Sequence, residues 1–293
     1  MALRLHEHRV TRARLWRAAL SVAAVTGLVG CHAGVRHMEA PGTHRRIIEV
    51  TAHRGAHEPF PLGAPENTLA AYQKAIDLGV DYVEIDARRT KDGSFVCVHN
   101  DNVDAYASGA TGLVRDLTLA ELEALDIGSR YHPSFAGTRI PSFTEVLNFV
   151  HGRDGAGVYL DVKDAAPDSV VAYLRRHDML ARTMVYDDPD ALAAMRQIEP
   201  RIRAFPEYPG SPERVAALAE RLHPDVIAIS SVRRMTPEAV AACHAVGARA
   251  IVDIMAADNP EGWSRAIEYG VDGLQTDRPT ELMRFLRERG LHD

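Results

Sequence analysis

The chain has 293 residues, of which 46% are hydrophobic and 25% are charged, and its formal net charge is −6. This length and apolar content are ample for one large hydrophobic core, and we expect one large domain. An acidic chain argues against a nucleic-acid partner, because such binding depends on lysine and arginine contacts to phosphate groups. No internal repeat or low-complexity segment is present in the sequence.

The N-terminal segment carries the pattern of an exported protein. Several arginines precede a short apolar stretch, residues 18–29, that is too short for a comfortable membrane span. The small residue before Cys31 resembles a bacterial lipobox, in which the cysteine is lipidated and becomes the new N-terminus. We therefore predict a lipoprotein signal peptide over residues 1–30 and a tether over residues 31–46 that holds the protein at the periplasmic or extracytoplasmic face of a bacterial membrane, with the choice of membrane left open. A signal anchor and an ordinary cleaved secretory peptide are the alternatives.

After the tether, short apolar runs alternate with segments of helical periodicity. This alternation predicts an α/β protein, specifically a (β/α)8 TIM barrel over residues 47–293 with right-handed crossovers. In this fold the catalytic groups lie at the C-terminal ends of the strands. The predicted barrel strands are 47–52, 82–85, 157–162, 183–186, 202–205, 226–229, 248–252 and 273–275, and the predicted helices are 68–78, 169–176, 191–197, 212–222, 237–246, 260–269 and 279–289.

One interval breaks the alternation, between the second and third barrel strands. It contains an extra strand at 94–99, a loop rich in glycine and serine at 108–112, and a helical stretch at 118–125. We therefore predict a small insertion over about residues 90–150.

Two carboxylates end the second predicted strand. Glu84 and Asp86 are two positions apart, so in an extended strand their side chains share one face while Ile85 points to the other. Neighbouring carboxylates repel one another unless a cation lies between them, and a hard divalent ion such as Mg²⁺ or Ca²⁺ prefers oxygen ligands. A solvated strand end is the plain alternative for this short pattern.

The order of the motifs resembles the glycerophosphodiester phosphodiesterase family. The resemblance extends over about residues 48–290 and implies a TIM barrel whose insertion overhangs the active site. It rests on the segments Ala52-His53-Arg54-Gly55, Pro65-Glu66-Asn67-Thr68, Glu84-Ile85-Asp86, Thr90-Lys91-Asp92-Gly93, Val98-His99-Asn100, Ile140-Pro141-Ser142-Phe143, Leu160-Asp161-Val162-Lys163 and Gly270-Val271-Asp272-Gly273-Leu274-Gln275-Thr276-Asp277-Arg278-Pro279.

The resemblance implies catalytic and metal-binding roles. His53 and His99 would act as general acid and general base in either order. Glu84 and Asp86 would bind the metal, and Asp161 stands where the family usually has a third carboxylate, commonly glutamate. Because aspartate is one methylene shorter, the metal would sit deeper or Asp161 would bind it through a water.

Three further residues are candidates for substrate binding. Arg54 offers the bidentate fork that suits phosphate oxygens, and Lys163 shares the face of Asp161, where it can offset phosphate charge. Glu66 has three possible roles, namely orienting a histidine, contacting the metal or holding Arg54. The remaining histidines of the barrel, His57 among them, receive no role.

Some positions depart from the family pattern. The second histidine is usually followed by aspartate, whereas here Asn100 follows, and Tyr106 is a candidate for the headgroup pocket. A Trp-Thr-Val-Asn pattern near the seventh strand is replaced here by Asp253-Ile254-Met255-Ala256, and Trp263 is predicted to pack in the core. Cys97 and Cys243 lack metal-ligand or redox spacing and are predicted to be core thiols.

The implied reaction is metal-dependent hydrolysis of glycerophosphodiesters, such as glycerophosphocholine, to sn-glycerol 3-phosphate and an alcohol. The attacking group would be water or, first, the glycerol hydroxyl of the substrate, which gives a cyclic phosphate that water then opens. The alternatives are a phospholipase D or C type of enzyme acting on intact lipids and a non-catalytic lipoprotein that binds phosphodiesters. Headgroup preference, metal identity and oligomeric state are left open.

Overall fold

The structure is a computed structural model that describes residues 47–293. The predicted signal peptide, Cys31 and the tether lie outside the described residues. The strands are β1 (Glu49–Ala52), β2 (Tyr82–Arg89), β3 (Phe95–Cys97), β4 (Gly157–Val162), β5 (Thr183–Tyr186), β6 (Arg203–Ala204), β7 (Val226–Ile229), β8 (Arg249–Asp253) and β9 (Gly273–Thr276). The α-helices are α1 (Leu69–Leu78), α2 (Leu119–Glu123), α3 (Gly128–Tyr131), α4 (Phe143–His151), α5 (Pro167–Arg176), α6 (Pro189–Ile198), α7 (Pro212–Leu222), α8 (Pro237–Ala245), α9 (Pro260–Tyr269) and α10 (Pro279–Glu288).

Eight parallel strands form a nearly closed barrel, which confirms the predicted TIM-barrel fold. Their order is β6-β5-β4-β2-β1-β9-β8-β7, and an isolated parallel bridge between Glu207 and Ala228 joins the two ends of this sheet. β3 pairs antiparallel with β2 beyond the barrel. In the register of β2 and β4, Asp86 lies directly opposite Asp161, so the predicted metal ligands are neighbours across one ladder.

Local sequence signals set the ends of the helices. Helix α1 begins after Thr68, whose side chain caps it, and ends at Gly79 with a φ of 81°. Proline occupies the first turn of each helix from α5 to α10, where its missing N–H leaves no hydrogen bond unmade.

Apolar side chains form two layers of core. The larger layer lies between the strands and the surrounding helices and includes Ile85 and the buried Trp263, as predicted. The thiols of Cys97 and Cys243 are also buried. The smaller layer fills the barrel interior and is made of Tyr159, Met184, Phe205, Val226, Ala228 and Ile251. These interior rings and aliphatic chains form the floor beneath the polar mouth.

The insertion after β2 has a small core of its own, formed by Val96, Val98, Val103, Tyr106, Ala107, Val114, Leu122, Ile127 and Ile140. The helix at the end of the predicted interval, α4, instead packs into the core of the barrel through Phe143, Val146, Leu147 and Val150. Among the described residues, no helix combines the length and apolar character needed to cross a membrane.

Candidate active site at the barrel mouth

A sharp turn after β1 places the first predicted catalytic histidine. Arg54 has a φ of 53° and Gly55 a φ of 80°, both in the left-handed region. A Cβ on Gly55 would lie 2.8 Å from the backbone carbon of Ala71, so glycine is required here. The turn directs His53 over the mouth and lets the backbone N–H of Arg54 donate to Glu84 Oε2 at 2.7 Å.

Three carboxylates meet at the C-terminal ends of β2 and β4. Glu84, Asp86 and Asp161 each offer an oxygen, and these atoms lie within 4.8 Å of one another. Glu84 and Asp86 are buried, whereas Asp161 is partly exposed to the mouth. The structure thus brings together all three residues predicted as metal ligands.

The carboxylates of this cluster have different electrostatic surroundings. Burial raises the pKa of Glu84 well above its usual value, and Asp86 and Asp161 raise it further. Burial also raises the pKa of Asp161, against the effect of Lys163. Burial alone would raise the pKa of Asp86, but the charge of Lys163 and a hydrogen bond from Asn67 lower it. The ionised form of Glu84 is therefore disfavoured, and a cation placed beside it would stabilise that form.

Lys163 supplies the ammonium group within the cluster. Its Nζ lies 3.0 Å from Asp86 Oδ1 and 2.7 Å from Asp161 Oδ2. Asp86 Oδ1 is nevertheless buried without a hydrogen-bond partner of suitable geometry. An all-oxygen donor set with one unsatisfied buried oxygen fits a hard divalent cation such as Mg²⁺ or Ca²⁺.

Asp86 is fixed by residues that the sequence did not single out for this task. Asn67 Nδ2 donates to Asp86 Oδ2 at 2.8 Å, and Tyr72 donates its hydroxyl proton to Asn67 Oδ1 at 2.8 Å. Asn67 has a φ of 53°, a conformation that asparagine tolerates better than most residues. Thr68 caps α1, whereas the side chain of Asn67 turns inward to the carboxylate cluster.

Arg54 and Glu66 form an ion pair at the rim of the same cluster. Arg54 Nη1 donates to Glu66 Oε2 at 3.1 Å, and Arg54 Nε lies 3.5 Å from Asp86 Oδ2. Of the three roles considered for Glu66, the described contacts show the one that holds Arg54. The Arg54 guanidinium is therefore oriented before any phosphate binds.

The second predicted catalytic histidine lies just beyond β3. His99 Nδ1 is 3.0 Å from Asn100 Oδ1, and the backbone N–H of Asn100 donates to the hydroxyl of Tyr106 at 2.8 Å. Arg88 Nε donates to the backbone oxygen of His99 at 2.8 Å. The insertion and the end of β2 therefore both supply contacts that orient His99.

His53 has a carboxylate partner that the sequence did not reveal. Its Nδ1 lies 2.6 Å from Asp277 Oδ1, just after β9, and His57 Nε2 lies 2.9 Å from the same oxygen. These three residues are also a group whose ligand atoms are close enough to bind a metal. In the sequence, the position of Asp277 just after a strand end was the only indication that it could lie at the barrel mouth. Nothing in the sequence linked Asp277 to His53 or His57.

Two cavities share Arg54 as a lining residue. The inner cavity, of about 200 Å³, is lined by His53, Arg54, His99 and Asp161 above an aromatic floor that includes Tyr159 and Phe205. The outer pocket, of about 300 Å³, lies against the insertion and is lined by Arg54, Pro65, Glu66, Asn100, Ala105, Tyr106, Ile127, Arg130 and Tyr131. Both predicted catalytic histidines thus face one cavity, and the insertion forms part of the wall of the pocket beside it.

A parallel barrel whose mouth combines two histidines, three carboxylates, an arginine and a lysine has the groups of an acid–base enzyme that acts on a phosphate ester. The glycerophosphoryl diester phosphodiesterase family matches residues 53–281. The chain belongs to this family and is an enzyme that hydrolyses phosphoric diesters.

Known proteins resemble the chain over most of its length. A glycerophosphodiester phosphodiesterase of Caldanaerobacter subterraneus subsp. tengcongensis is 30% identical over 253 residues, which cover 82% of this chain and 98% of that protein. The crystal structure of a glycerophosphodiester phosphodiesterase from Agrobacterium tumefaciens superposes with a TM-score of 0.70 at 27% identity, covering 81% of this chain and all of the other. An Oleispira antarctica phosphodiesterase in complex with the product sn-glycerol-3-phosphate shares the fold, with a TM-score of 0.72 at 24% identity over 82% of this chain and 97% of that one.

Proposed function

We propose that the protein hydrolyses glycerophosphodiesters to sn-glycerol 3-phosphate and an alcohol, with a divalent ion and with His53 and His99 as acid and base. The observation that carries the proposal is that both histidines, Arg54 and Asp161 line one cavity of about 200 Å³. The product complex of the Oleispira antarctica relative supports sn-glycerol 3-phosphate as the product.

The histidines account for the proton transfers. A new P–O bond forms to the attacking oxygen of water while the P–O bond to the alcohol breaks. One histidine removes a proton from the attacking oxygen, and the other gives a proton to the departing alkoxide. The net reaction consumes one water and releases a phosphomonoester and an alcohol. After each turnover the base histidine carries the proton that the acid histidine has lost, and proton exchange with solvent restores both.

Positive charge at the phosphoryl group comes from three sources. Arg54 contributes a guanidinium already oriented by Glu66, and Lys163 contributes an ammonium at the edge of the carboxylate cluster. A divalent ion bound by Glu84, Asp86 and Asp161 would add further charge to stabilise the phosphoryl oxygens. Asp161 lies opposite Asp86 in the strand register, which supports its place in this ligand set.

The two cavities support a substrate with two small substituents. Arg54 borders both the inner cavity and the outer pocket, so a phosphate bound at Arg54 would extend one substituent into each. Volumes of about 200 and 300 Å³ suit groups of the size of glycerol, ethanolamine or choline. Soluble diesters are therefore favoured over lipids that retain two acyl chains.

Product identification tests the proposed substrate class. The purified protein is incubated with glycerophosphocholine, glycerophosphoethanolamine, lysophosphatidylcholine or phosphatidylcholine, each with Mg²⁺, Ca²⁺ or EDTA, and the products are identified by mass spectrometry. We expect sn-glycerol 3-phosphate from the two soluble diesters and little product from the lipids. Turnover of the lipids alone would contradict the proposal and indicate a phospholipase. Binding of the diesters without turnover under any condition would indicate a binding protein.

We also propose that the protein is exported and anchored to a bacterial membrane by lipidated Cys31. The support is the N-terminal sequence, in which arginines, a short apolar stretch and a small residue precede the cysteine. An external location fits a substrate released from membrane phospholipids.

A further inference from the structure

We propose that His57 is a positioning residue for the reaction, because it fixes the Asp277 carboxylate that orients His53. This inference rests on the proposed function, in which His53 is the acid or base. It assigns a task to a histidine that has no contact with the carboxylate cluster among the described hydrogen bonds.

Both histidines are hydrogen-bonded to the same carboxylate oxygen, Asp277 Oδ1. Burial alone would raise the pKa of Asp277, but its hydrogen bonds and charge interactions with His53 and His57 lower that pKa. Asp277 is therefore ionised at neutral pH and can only accept hydrogen bonds, so both His53 Nδ1 and His57 Nε2 donate to it. This leaves His53 Nε2 as the nitrogen that can exchange a proton with the substrate.

Asp277 needs a second donor because its side chain is 39% exposed, compared with 12% for His53. A half-exposed carboxylate with one hydrogen bond can rotate toward water, whereas two donors on the same oxygen restrict its torsion. The bond from His57 comes from the loop after β1, so it ties the carboxylate after β9 to a second structural element. His57 thus acts on His53 through Asp277.

Further hydrogen bonds hold the two segments that the His57–Asp277 contact joins. On one side, the partly buried Asp258 accepts hydrogen bonds from the backbone N–H of Asp277 and from the hydroxyl of Thr276, each at 2.8 Å. On the other side, Glu58, next to His57, accepts from the backbone N–H of Thr280 at 2.8 Å. The second contact joins the β1–α1 loop to the first turn of α10. Asp258 and Glu58 make no described hydrogen bond to His53, so the link to His53 runs only through His57 and Asp277.

A double-mutant cycle separates positioning from a merely structural effect. His57→Leu removes the donor, and we expect kcat to fall about tenfold with KM changed less than twofold, within the range typical of residues that orient a reactive group. His57→Gln can place an amide N–H near the position of Nε2 and should keep kcat within about threefold of the wild type. Asp277→Asn should lower kcat by about 100-fold or more. In the Asp277→Asn protein, adding His57→Leu should change kcat less than twofold, because the residue through which His57 acts is already altered.

The control is His151→Leu, an exposed histidine at the end of α4, which should leave kcat unchanged. Two results would overturn the inference: wild-type kcat in His57→Leu, or the same tenfold loss from His57→Leu in both backgrounds. Nitrogen-15 NMR of the imidazoles gives a readout that does not need turnover. The Nδ1–H signal of His53 should be sharp in the wild type and in His57→Gln and exchange-broadened in His57→Leu, and an unchanged signal in His57→Leu would count against the inference even if no diester were hydrolysed.

Discussion

At the scale of single residues, Arg54 joins the carboxylate cluster to the two cavities. Its guanidinium contacts Glu66 and approaches Asp86, and it borders both cavities. A lysine has one ammonium in place of the planar fork and cannot make the paired contact to a phosphate. We expect Arg54→Lys to lower kcat/KM for glycerophosphocholine by about 10- to 100-fold, which corresponds to about 1.4–2.8 kcal/mol of transition-state stabilisation.

The matched control for this substitution is Arg153→Lys, which alters an arginine on the outside of the barrel that donates to Gln73. Steady-state kinetics measure kcat/KM for both variants, and circular dichroism verifies that each variant is folded. Equal kcat/KM for Arg54→Lys and the wild type would rule out a phosphate contact by this guanidinium.

Glu84 makes the stability of the metal-free protein depend on pH. Burial, followed by Asp86 and Asp161, raises its pKa above the usual 4.5. The folded protein therefore binds this proton more tightly than the unfolded chain does. The stabilisation is complete below about pH 4.5 and is lost as the pH rises through the raised pKa. Divalent-ion binding should counter this loss.

The Glu84→Gln variant isolates this effect. Glutamine can still accept from the backbone N–H of Arg54 but carries no charge. In EDTA at pH 7.5, we expect it to be more stable than the wild type by at least about 1 kcal/mol, with the difference shrinking toward pH 4.5. Urea unfolding across this pH range measures the difference, and the exposed Glu220→Gln serves as control. A variant that is less stable than the wild type at pH 7.5 in EDTA would contradict the prediction.

Sequence patterns located the residues that lie on strand ends, and they missed the residues that join distant segments. Glu84 and Asp86 follow from alternation along β2, whereas Asp161 was assigned through the family resemblance and Lys163 through its position two residues further on the same face. By contrast, Asp277 and His53 are 224 positions apart, and neither position carries a signal for the other. Such contacts depend on the closure of the barrel, which brings β9 beside β1.

At the scale of elements, the strands and most outer helices were predicted with small errors at their ends, because apolar runs and helix-starting prolines mark them. No helix was predicted where the structure has α4 (Phe143–His151). The run at 202–205 yields a strand of only two residues, Arg203–Ala204. The short α3 and the 3₁₀ turns of the insertion were not predicted, since four-residue elements carry too little periodicity to detect. The insertion was located by the break in alternation, but its contact with His99 required the three-dimensional structure.

Tyr106 tests whether the insertion positions His99. Its hydroxyl accepts from the backbone N–H of Asn100, whose side chain contacts His99. Tyr106→Phe leaves that partly buried N–H without its partner, at a cost of about 1 kcal/mol. We expect kcat to fall about fivefold or more, while the affinity for Ca²⁺ stays within twofold of the wild type because the three carboxylates are unaffected.

The comparison variant is Tyr173→Phe, which makes the same change on α5, where the ring packs against Phe95 outside the barrel. Calcium affinity is measured by calorimetry and kcat by release of glycerol 3-phosphate. If Tyr106→Phe reduced calcium affinity as strongly as kcat, the tyrosine would affect the carboxylate cluster as well as His99. A specific role in positioning His99 would then be rejected.

At the scale of the whole molecule, the barrel separates the site from the start of the described chain. Ile48 and Glu49 lie at the N-terminal end of the barrel, whereas His53 lies at the C-terminal mouth. The described chain therefore enters the barrel at the end away from the site. We expect the full-length protein to fractionate with membranes and Cys31→Ser to lose lipid labelling and membrane association. Retention of Cys31→Ser in washed membranes would contradict a lipid anchor.

In the proposed mechanism, the three carboxylates bind a divalent ion that hydrolysis requires, while the two histidines transfer protons. The most direct test titrates Ca²⁺ or Mg²⁺ into metal-free wild type and His53→Ala, with binding measured by calorimetry and glycerol 3-phosphate release measured on the same samples. We predict that wild-type turnover rises in step with occupancy of one site, and that His53→Ala binds the ion with similar affinity while turnover falls at least about 10²-fold. Full turnover in EDTA, or wild-type turnover by His53→Ala, would rule out this mechanism.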